Sequence, residues 1–176
     1  MKIKIVYFFV FSLLFSCQKE VSPYWGNAEM NFNGRKWETG QVVCEFMKGK
    51  CLNPEIIIIF EKYDQPTLTT EMIAIGKLPS AKGVHKISKI DYQNYPDCSY
   101  PHANASYRTY EIDATKESYE ILEGEENYVE ITDFDENSKE VKGRFHLVFI
   151  VGYKWSQSVL PDTLRFTEGR FHARVR

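Results

Sequence analysis

Two successive runs in the C-terminal third of the chain alternate apolar and polar residues, and this alternation limits the fold more than any other feature. The run 128–134 places Val129 and Ile131 on one face. The run 141–151 places four apolar residues on one face: Phe145, Leu147, Phe149 and Val151. Five polar residues, 135–139, lie between the runs and suit a short hairpin loop. A period of two residues is typical of a strand with one buried face, so an antiparallel hairpin is predicted.

The register of this hairpin follows from hydrophobicity and charge. Setting Val129 opposite Phe145 places both side chains in the core. The same register gives two pairs on the outer face, Glu130 with Arg144 and Tyr128 with His146. Opposite charges stabilise a cross-strand pair, and a slip by one residue would turn every side chain to the other face.

Further strands are predicted along the rest of the chain. Asn33-Gly34 between apolar flanks indicates a two-residue hairpin turn, because both turn positions need positive φ. Other runs rich in β-branched and aromatic residues are bounded by turn residues: 41–48, 55–63, 71–78, 84–90, 107–113 and 118–122. Four consecutive isoleucines in 55–63 predict burial of that strand on both faces.

The last strands change parity. Leu164 and Phe166 share one parity, whereas the apolar residues from Phe171 onward have the other. One extra residue near Glu168-Gly169 would reconcile them, so a glycine-assisted bulge is predicted there. The chain then has about nine to ten strands and no convincing helix, which predicts an all-β fold, an antiparallel β-sandwich or barrel.

The N-terminus has the pattern of an export signal. Lys2 and Lys4 precede the apolar run 5–15, and the small residue Ser16 follows. The run is shorter than the about 20 apolar residues that a membrane-spanning helix needs.

Leu14-Phe15-Ser16-Cys17 resembles the lipobox of bacterial lipoproteins, in which the cysteine is acylated and becomes the mature N-terminus. The resemblance implies acyl chains such as palmitate on Cys17 and a membrane anchor, since two or more acyl chains hold a protein stably. The expected organisation is a signal peptide at 1–16, a lipidated tether at 17–26 and one β-rich domain at 27–176. The alternative is an ordinary cleaved signal with an unmodified cysteine.

Charge and cysteine content narrow the function classes. Loss of the two signal lysines leaves 20 basic against 24 acidic residues, which argues against nucleic acid as a partner because that partner requires a basic patch. Cys44, Cys51 and Cys98 are an odd number in a compartment that permits disulfides. A Cys44–Cys51 bridge and a Cys51–Cys98 bridge are both open.

Three features carry a further resemblance: the lipobox, Asn33-Gly34-Arg35-Lys36-Trp37, and the segment VEITDFDENSKEVKGRFHLVF with EGRFHARV near the end. Together they resemble small lipoproteins of Bacteroidota with no known function. The resemblance implies a β-rich outer membrane lipoprotein on the periplasmic or cell-surface face, and it implies no activity. Gln18-Lys19-Glu20 is similar to the stretch that routes such lipoproteins to the cell surface.

A repeated tetrapeptide gives the first candidate site. Gly-Arg-Phe-His occurs at 143–146 and again at 169–172. If these strands pair, four basic side chains share the outer face: Arg144, His146, Arg170 and His172. Such a stripe is a candidate anion site, for an acidic sugar or phosphate, through charge-assisted hydrogen bonds. The simpler interpretation is a solvated face on which Glu130 compensates Arg144.

A tyrosine-rich segment gives the second candidate site. The residues 91–104 form a long predicted loop, and loops of this length often bind ligands. Tyrosine combines a large contact area with a hydrogen-bonding tip. The candidate ligand-binding residues are Tyr92, Tyr95, Tyr100 and His102, joined by Tyr153 and Trp155. Tyr107 and Tyr110 follow nearby. The alternative is that these rings pack the loop onto the sheet.

Metal and catalytic motifs are weak. Asp133, Asp135 and Asn137 copy the opening of a calcium loop, but the pattern then fails and a hairpin loop explains them better. Cys98 with His102 lacks the further ligands of a zinc site. No nucleophile elbow, zinc-protease, phosphate-loop or dinucleotide motif is present, so no metal and no cofactor are expected.

We therefore expect a non-catalytic envelope lipoprotein that binds a small ligand, a glycan or a protein partner. Two alternatives stay open: a hydrolase of envelope glycans or peptides, and a structural component of a surface complex.

Overall fold

Eleven strands form one mostly antiparallel sheet in the computed structural model, which describes residues 26–47, 55–65, 68–90, 102–112 and 114–175. The strands are β1 (Gly26–Phe32), β2 (Arg35–Glu38), β3 (Gln41–Met47), β4 (Glu55–Gln65), β5 (Leu68–Pro79), β6 (Gly83–Ser88), β7 (Ala103–Glu111), β8 (Ala114–Ile121), β9 (Tyr128–Asp135), β10 (Glu140–Lys154) and β11 (Thr163–Arg174). No helix occurs in these residues. The predicted all-β fold is confirmed.

The sheet curls so that its edge strand β3 approaches the end of β11. Its strand order is β2-β1-β11-β10-β9-β6-β7-β5-β4-β3, with β8 paired to both β10 and β7. Cys44 of β3 forms a parallel bridge with Val175, directly after β11. The arrangement is compatible with the predicted sandwich or barrel, and it encloses one hydrophobic core.

The C-terminal hairpin has the predicted register. Val129 lies opposite Phe145, and both side chains are buried. The two outer pairs also form as predicted: Glu130 with Arg144 and Tyr128 with His146. The alternation of 128–151 therefore determines which face of β9 and β10 enters the core.

The early hairpin is confirmed as well. Asn33 and Gly34 have φ values of 47° and 78°, as a two-residue turn of this hand requires. The Asn33 side-chain oxygen accepts a hydrogen bond from the Arg165 amide at 2.8 Å. The turn is thereby attached to β11.

Strand β8 and strand β9 lie end to end along the long strand β10. Strand β8 pairs with 149–154, whereas β9 pairs with 140–146. Asn127 fills the break between them: its side chain accepts from the Val148 amide at 2.7 Å and donates to the Leu122 carbonyl at 2.9 Å. A buried amide thus replaces ladder hydrogen bonds that the break removes.

The prediction that β4 is buried on both faces is wrong. Ile56 and Ile58 are fully buried, but Ile57 and Ile59 on the other face are only partly covered. Strand β4 follows the same inside-outside alternation as its neighbours, and four apolar residues in a row do not change that period.

The predicted bulge lies in β11, which is one continuous strand rather than two. Phe145 pairs with Gly169, whereas Leu147 pairs with Phe166, so β11 contains one extra residue. The left-handed residue of the bulge is Glu168, with φ 55°. Gly169 is needed for space instead, because a Cβ there would lie 2.5 Å from the Phe145 ring.

Candidate functional site

Several predicted site residues lie outside the described part of the chain: Cys17, Tyr92, Tyr95, Tyr100, Cys51 and Cys98. His102 is described and is exposed directly before β7. Cys44 is a free thiol facing the core, and burial raises its pKa to about 12. The predicted alternative of a Cys44–Cys51 bridge is therefore wrong.

The repeated tetrapeptide is a packing motif. The two copies pair with each other, so that Gly143 lies opposite Phe171 and Gly169 lies opposite Phe145. A Cβ on Gly143 would lie 2.4 Å from the Phe171 ring. Each glycine makes room for the phenylalanine of the other copy, and this mutual fit accounts for the glycine and the phenylalanine of both copies.

The basic side chains of the repeat share the outer face, as predicted. Arg144 lies directly opposite Arg170, and glutamates flank this pair in the same row, Glu130 on β9 and Glu29 on β1. Arg144 forms an ion pair with Glu130. Cross-strand neighbours thus compensate the like charges that would repel.

The two histidines of the stripe also have partners. His172 lies 2.9 Å from a carboxylate oxygen of Glu140, and the His146 ring stacks on Tyr128 with centroids 6.2 Å apart. A shallow groove of about 750 Å³ crosses this face between Lys36, His146 and Glu168. Anion binding in it stays a prediction.

A second cleft, which was not predicted from the sequence, lies at one end of four neighbouring strands. In each of these strands, every second side chain points inward and forms a row. On β4, β5, β7 and β8 these rows are apolar or aromatic through the core and then become polar at the same end. The polar inward residues are Lys62, Glu71, Thr109 and Glu117. We call the resulting space of about 350 Å³ the mouth cleft. The change from apolar to polar within one alternating row was the sequence signal for it.

Glu71 is the anchored carboxylate of the mouth cleft. Its Oε2 accepts hydrogen bonds from Trp37 Nε1 at 2.9 Å and from the Tyr107 hydroxyl at 3.0 Å. Its Oε1 accepts from Lys62 Nζ at 2.8 Å. Burial and the neighbouring Glu71 charge hold the pKa of Tyr107 far above its ordinary value, so this tyrosine is a permanent donor.

Glu117 and Thr109 are the unsatisfied pair of the mouth cleft. They lie opposite each other on β8 and β7, with only 3% and 8% of their surfaces exposed. The Thr109 hydroxyl has no hydrogen-bond partner, and no hydrogen bond or ion pair within the described residues reaches the Glu117 carboxylate. The Thr109 hydroxyl is thus buried without a hydrogen bond, and the Glu117 carboxylate opposite it has no hydrogen bond or ion pair from the described residues.

The two tyrosine hydroxyls at this end of the core are already used. The Tyr107 hydroxyl donates to Glu71, and the Tyr119 hydroxyl donates to the Pro161 carbonyl at 3.0 Å. Burial, with a smaller effect of the nearby Glu117 charge, raises the pKa of Tyr119 to about 12. If either hydroxyl donated to Glu117 instead, its present hydrogen bond would be lost.

The connection 155–162 borders the mouth cleft and carries one of the predicted ligand residues. Trp155 begins it, and its amide donates to the Lys116 carbonyl at 3.2 Å. Tyr153, at the end of β10, is half exposed beside it. Ile112 at the β7–β8 turn and Val159 in the connection are also strongly exposed. Three of the four large exposed apolar residues in the described chain thus surround this end of the sheet, as single side chains rather than a broad patch.

The residues with a calcium-loop pattern form a hairpin turn, in agreement with the preferred interpretation. Asp135 accepts from the Asn137 amide at 2.8 Å, and Asp133 pairs with Lys82 at 2.8 Å. No group of three or more potential metal ligands occurs among the described residues. Within the same residues, no helix is long and apolar enough to cross a membrane.

No family model matches the chain, and comparisons with curated proteins and with solved structures give no significant match. The site must therefore be interpreted from its own geometry.

Proposed function

We propose that the domain is a non-catalytic binding module of the cell envelope, and that its ligand enters the mouth cleft. The observation that carries this proposal is the buried Thr109 hydroxyl, which has no hydrogen-bond partner, opposite a Glu117 carboxylate that no other described residue bonds. A buried polar group that lacks a hydrogen bond destabilises a fold by about 1–3 kcal/mol. Native structures contain few such groups, and a ligand that supplies the missing hydrogen bonds would offset that penalty.

The proposed lipid anchor on Cys17 is compatible with this site. Gly26, where the described chain begins, pairs with Ala173 at one end of β1, whereas Phe32 at the other end lines the mouth cleft. Seven residues of strand span about 20 Å. A tether at 17–26 would thus join the domain far from the cleft, which would open away from the outer membrane.

The test is a glycan and metabolite screen on the purified mature protein by thermal shift, followed by titration calorimetry of any hit. We expect a saturable ligand whose binding is lost in Glu117→Ala and kept in Arg144→Gln, the control on the outer face. A ligand that is lost only in Arg144→Gln would move the site to the basic stripe. A ligand lost only in Tyr95→Ala or Tyr100→Ala would move it to the tyrosine-rich segment.

A hydrolase of envelope glycans or peptides is the second candidate, favoured by one observation. Glu71 and Glu117 both line the mouth cleft with Tyr107 close to each of them. Paired carboxylates are the catalytic groups of most glycoside hydrolases. Turnover of an envelope glycan that is abolished in Glu117→Gln, with binding retained, would establish the enzyme over the binding module.

A further inference from the structure

We infer that the ligand of the mouth cleft carries a protonated primary amine, which binds between Glu117 and Thr109. This inference rests on the proposed function and specifies the chemical class of its ligand.

Hydrogen-bonding capacity requires a donor. An ionised carboxylate only accepts hydrogen bonds, and a threonine hydroxyl accepts as well as donates. The Glu117 and Thr109 side chains face each other across β8 and β7 but do not bond to each other. A primary ammonium group has three N–H donors and no acceptor, so it can satisfy both side chains at once.

Charge favours a cation over a neutral donor. Two lysines and three carboxylates line the mouth cleft: Lys62, Lys116, Asp64, Glu71 and Glu117. Lys62 is engaged by Glu71, and Lys116 lies 3.8 Å from Glu111 on the adjoining strand. The lining carboxylates left without an ion pair from the described residues are therefore Asp64 and Glu117, and of these Glu117 is the buried one. A charge-assisted hydrogen bond to a carboxylate is about twice as strong as a neutral one.

The walls of the cleft suit a compact organic cation. Phe32, Tyr107 and Tyr110 line it, and aromatic faces attract ammonium groups. Its volume of about 350 Å³ lies at the small end of ligand pockets. Amino sugars and short aliphatic diamines share the required group, so the experiment must separate these two sources.

The experiment is titration calorimetry of the mature protein with two matched pairs of probes. Glucosamine is compared with glucose, and putrescine with butanediol, so that the amine is the principal difference within each pair. We expect at least one amine to bind saturably and its hydroxyl counterpart to bind about tenfold more weakly or not at all, since a charge-assisted hydrogen bond is lost. The amine that binds identifies the source, sugar or diamine.

Two variants locate the interaction. Glu117→Gln keeps the shape of the side chain and removes its charge, so we expect it to weaken amine binding about tenfold or more. Because Glu117 has no partner in the free protein, the same variant should leave Tm unchanged or raise it, which a structural carboxylate would not do. Glu120→Gln removes a charge from the outer face of the same strand, where Glu120 pairs with Lys89, and should leave amine binding unchanged.

The outcomes separate the ligand class from the proposed function. Equal affinity for amine and hydroxyl probes would overturn the amine inference alone. So would a neutral or anionic ligand from the screen that needs Glu117 and Thr109. A ligand whose affinity is the same in wild type, Glu117→Gln and Thr109→Val would overturn both.

Discussion

Two places inside the sheet bury polar side chains, the break between β8 and β9 and the mouth cleft. At the break, Asn127 is 5% exposed and its side-chain amide is bonded on both sides. At the mouth, Glu117 is even less exposed and has no such partner among the described residues. A similar degree of burial therefore coexists with hydrogen bonds to the surrounding backbone in one place and with no bond from the described residues in the other.

The difference indicates how structural and functional polar groups can be distinguished in this fold. A side chain that satisfies the backbone around it stabilises the fold, and its loss should unfold the protein. A side chain that the fold leaves unsatisfied should be dispensable for folding and required for the ligand.

The largest effect is expected for Asn127→Ala. The substitution leaves the Val148 amide and the Leu122 carbonyl without their side-chain partner at a buried site. We expect the free energy of unfolding to fall by about 2–4 kcal/mol, since each buried unsatisfied group costs about 1–3 kcal/mol. Urea denaturation measures this loss, with Asn27→Ala on the exposed face of β1 as the matched control. A loss as small as that of the control would remove the contrast with the mouth cleft.

Gly143→Ala should produce the next largest effect, by sterics alone. A Cβ at this position would lie 2.4 Å from the Glu130 carbonyl oxygen and from the Phe171 ring. Overpacking of this kind destabilises a core by about 1–3 kcal/mol, so thermal unfolding should shift downward. Gly152→Ala lies on the same strand with no atom nearer than 3.5 Å and should be nearly neutral. Together the two variants would show that the rows around the paired tetrapeptides are filled, whereas the exposed end of β10 has room for a side chain.

Thr109→Val should have a smaller effect of opposite sign. The hydroxyl has no partner in the free protein, and valine keeps the branched shape. We expect the free energy of unfolding to rise by about 1 kcal/mol, because a buried unsatisfied group is replaced by an apolar one. Ligand binding should weaken at the same time. Destabilisation would mean that the Thr109 hydroxyl forms a hydrogen bond in solution. Thr109 would then be a structural polar group, as Asn127 is.

The fold could be predicted from the sequence wherever alternation and turn chemistry agreed. The hairpin of β9 and β10 and the turn at Asn33-Gly34 needed only local patterns, since faces and register follow from a period of two. Burial of Ile57 and Ile59 was predicted wrongly, because an apolar residue on an outer face cannot be told from a core residue by composition alone. The sequence predicted that Gly169 would allow the bulge, but the left-handed residue is Glu168. The role of Gly169, to leave space for Phe145, could not be predicted because Phe145 lies on another strand.

The candidate site was harder to predict, because it exists only where four strands end together. Lys62, Glu71, Thr109 and Glu117 are spread over more than 50 residues of sequence, and each alone resembles an ordinary surface residue. That these side chains point inward can be inferred only by extending the alternation of each strand from its apolar residues to its end. The repeated tetrapeptide misled in the opposite way, because its similarity reflects mutual packing of Gly143 with Phe171 and of Gly169 with Phe145.

The smallest effect is expected on the outer face, for Arg144→Gln. Its partner Glu130 lies beside it in contact with water, where an exposed ion pair contributes little to stability and is screened by salt. We expect Tm of the free protein and affinity for the cleft ligand both to match wild type. Titration with inorganic phosphate at low and high salt provides the decisive comparison: phosphate that raises Tm of wild type but not of Arg144→Gln would give the basic stripe a ligand of its own. The outer face would then be a second functional surface, distinguished from the mouth cleft by the sign of the charge that it binds.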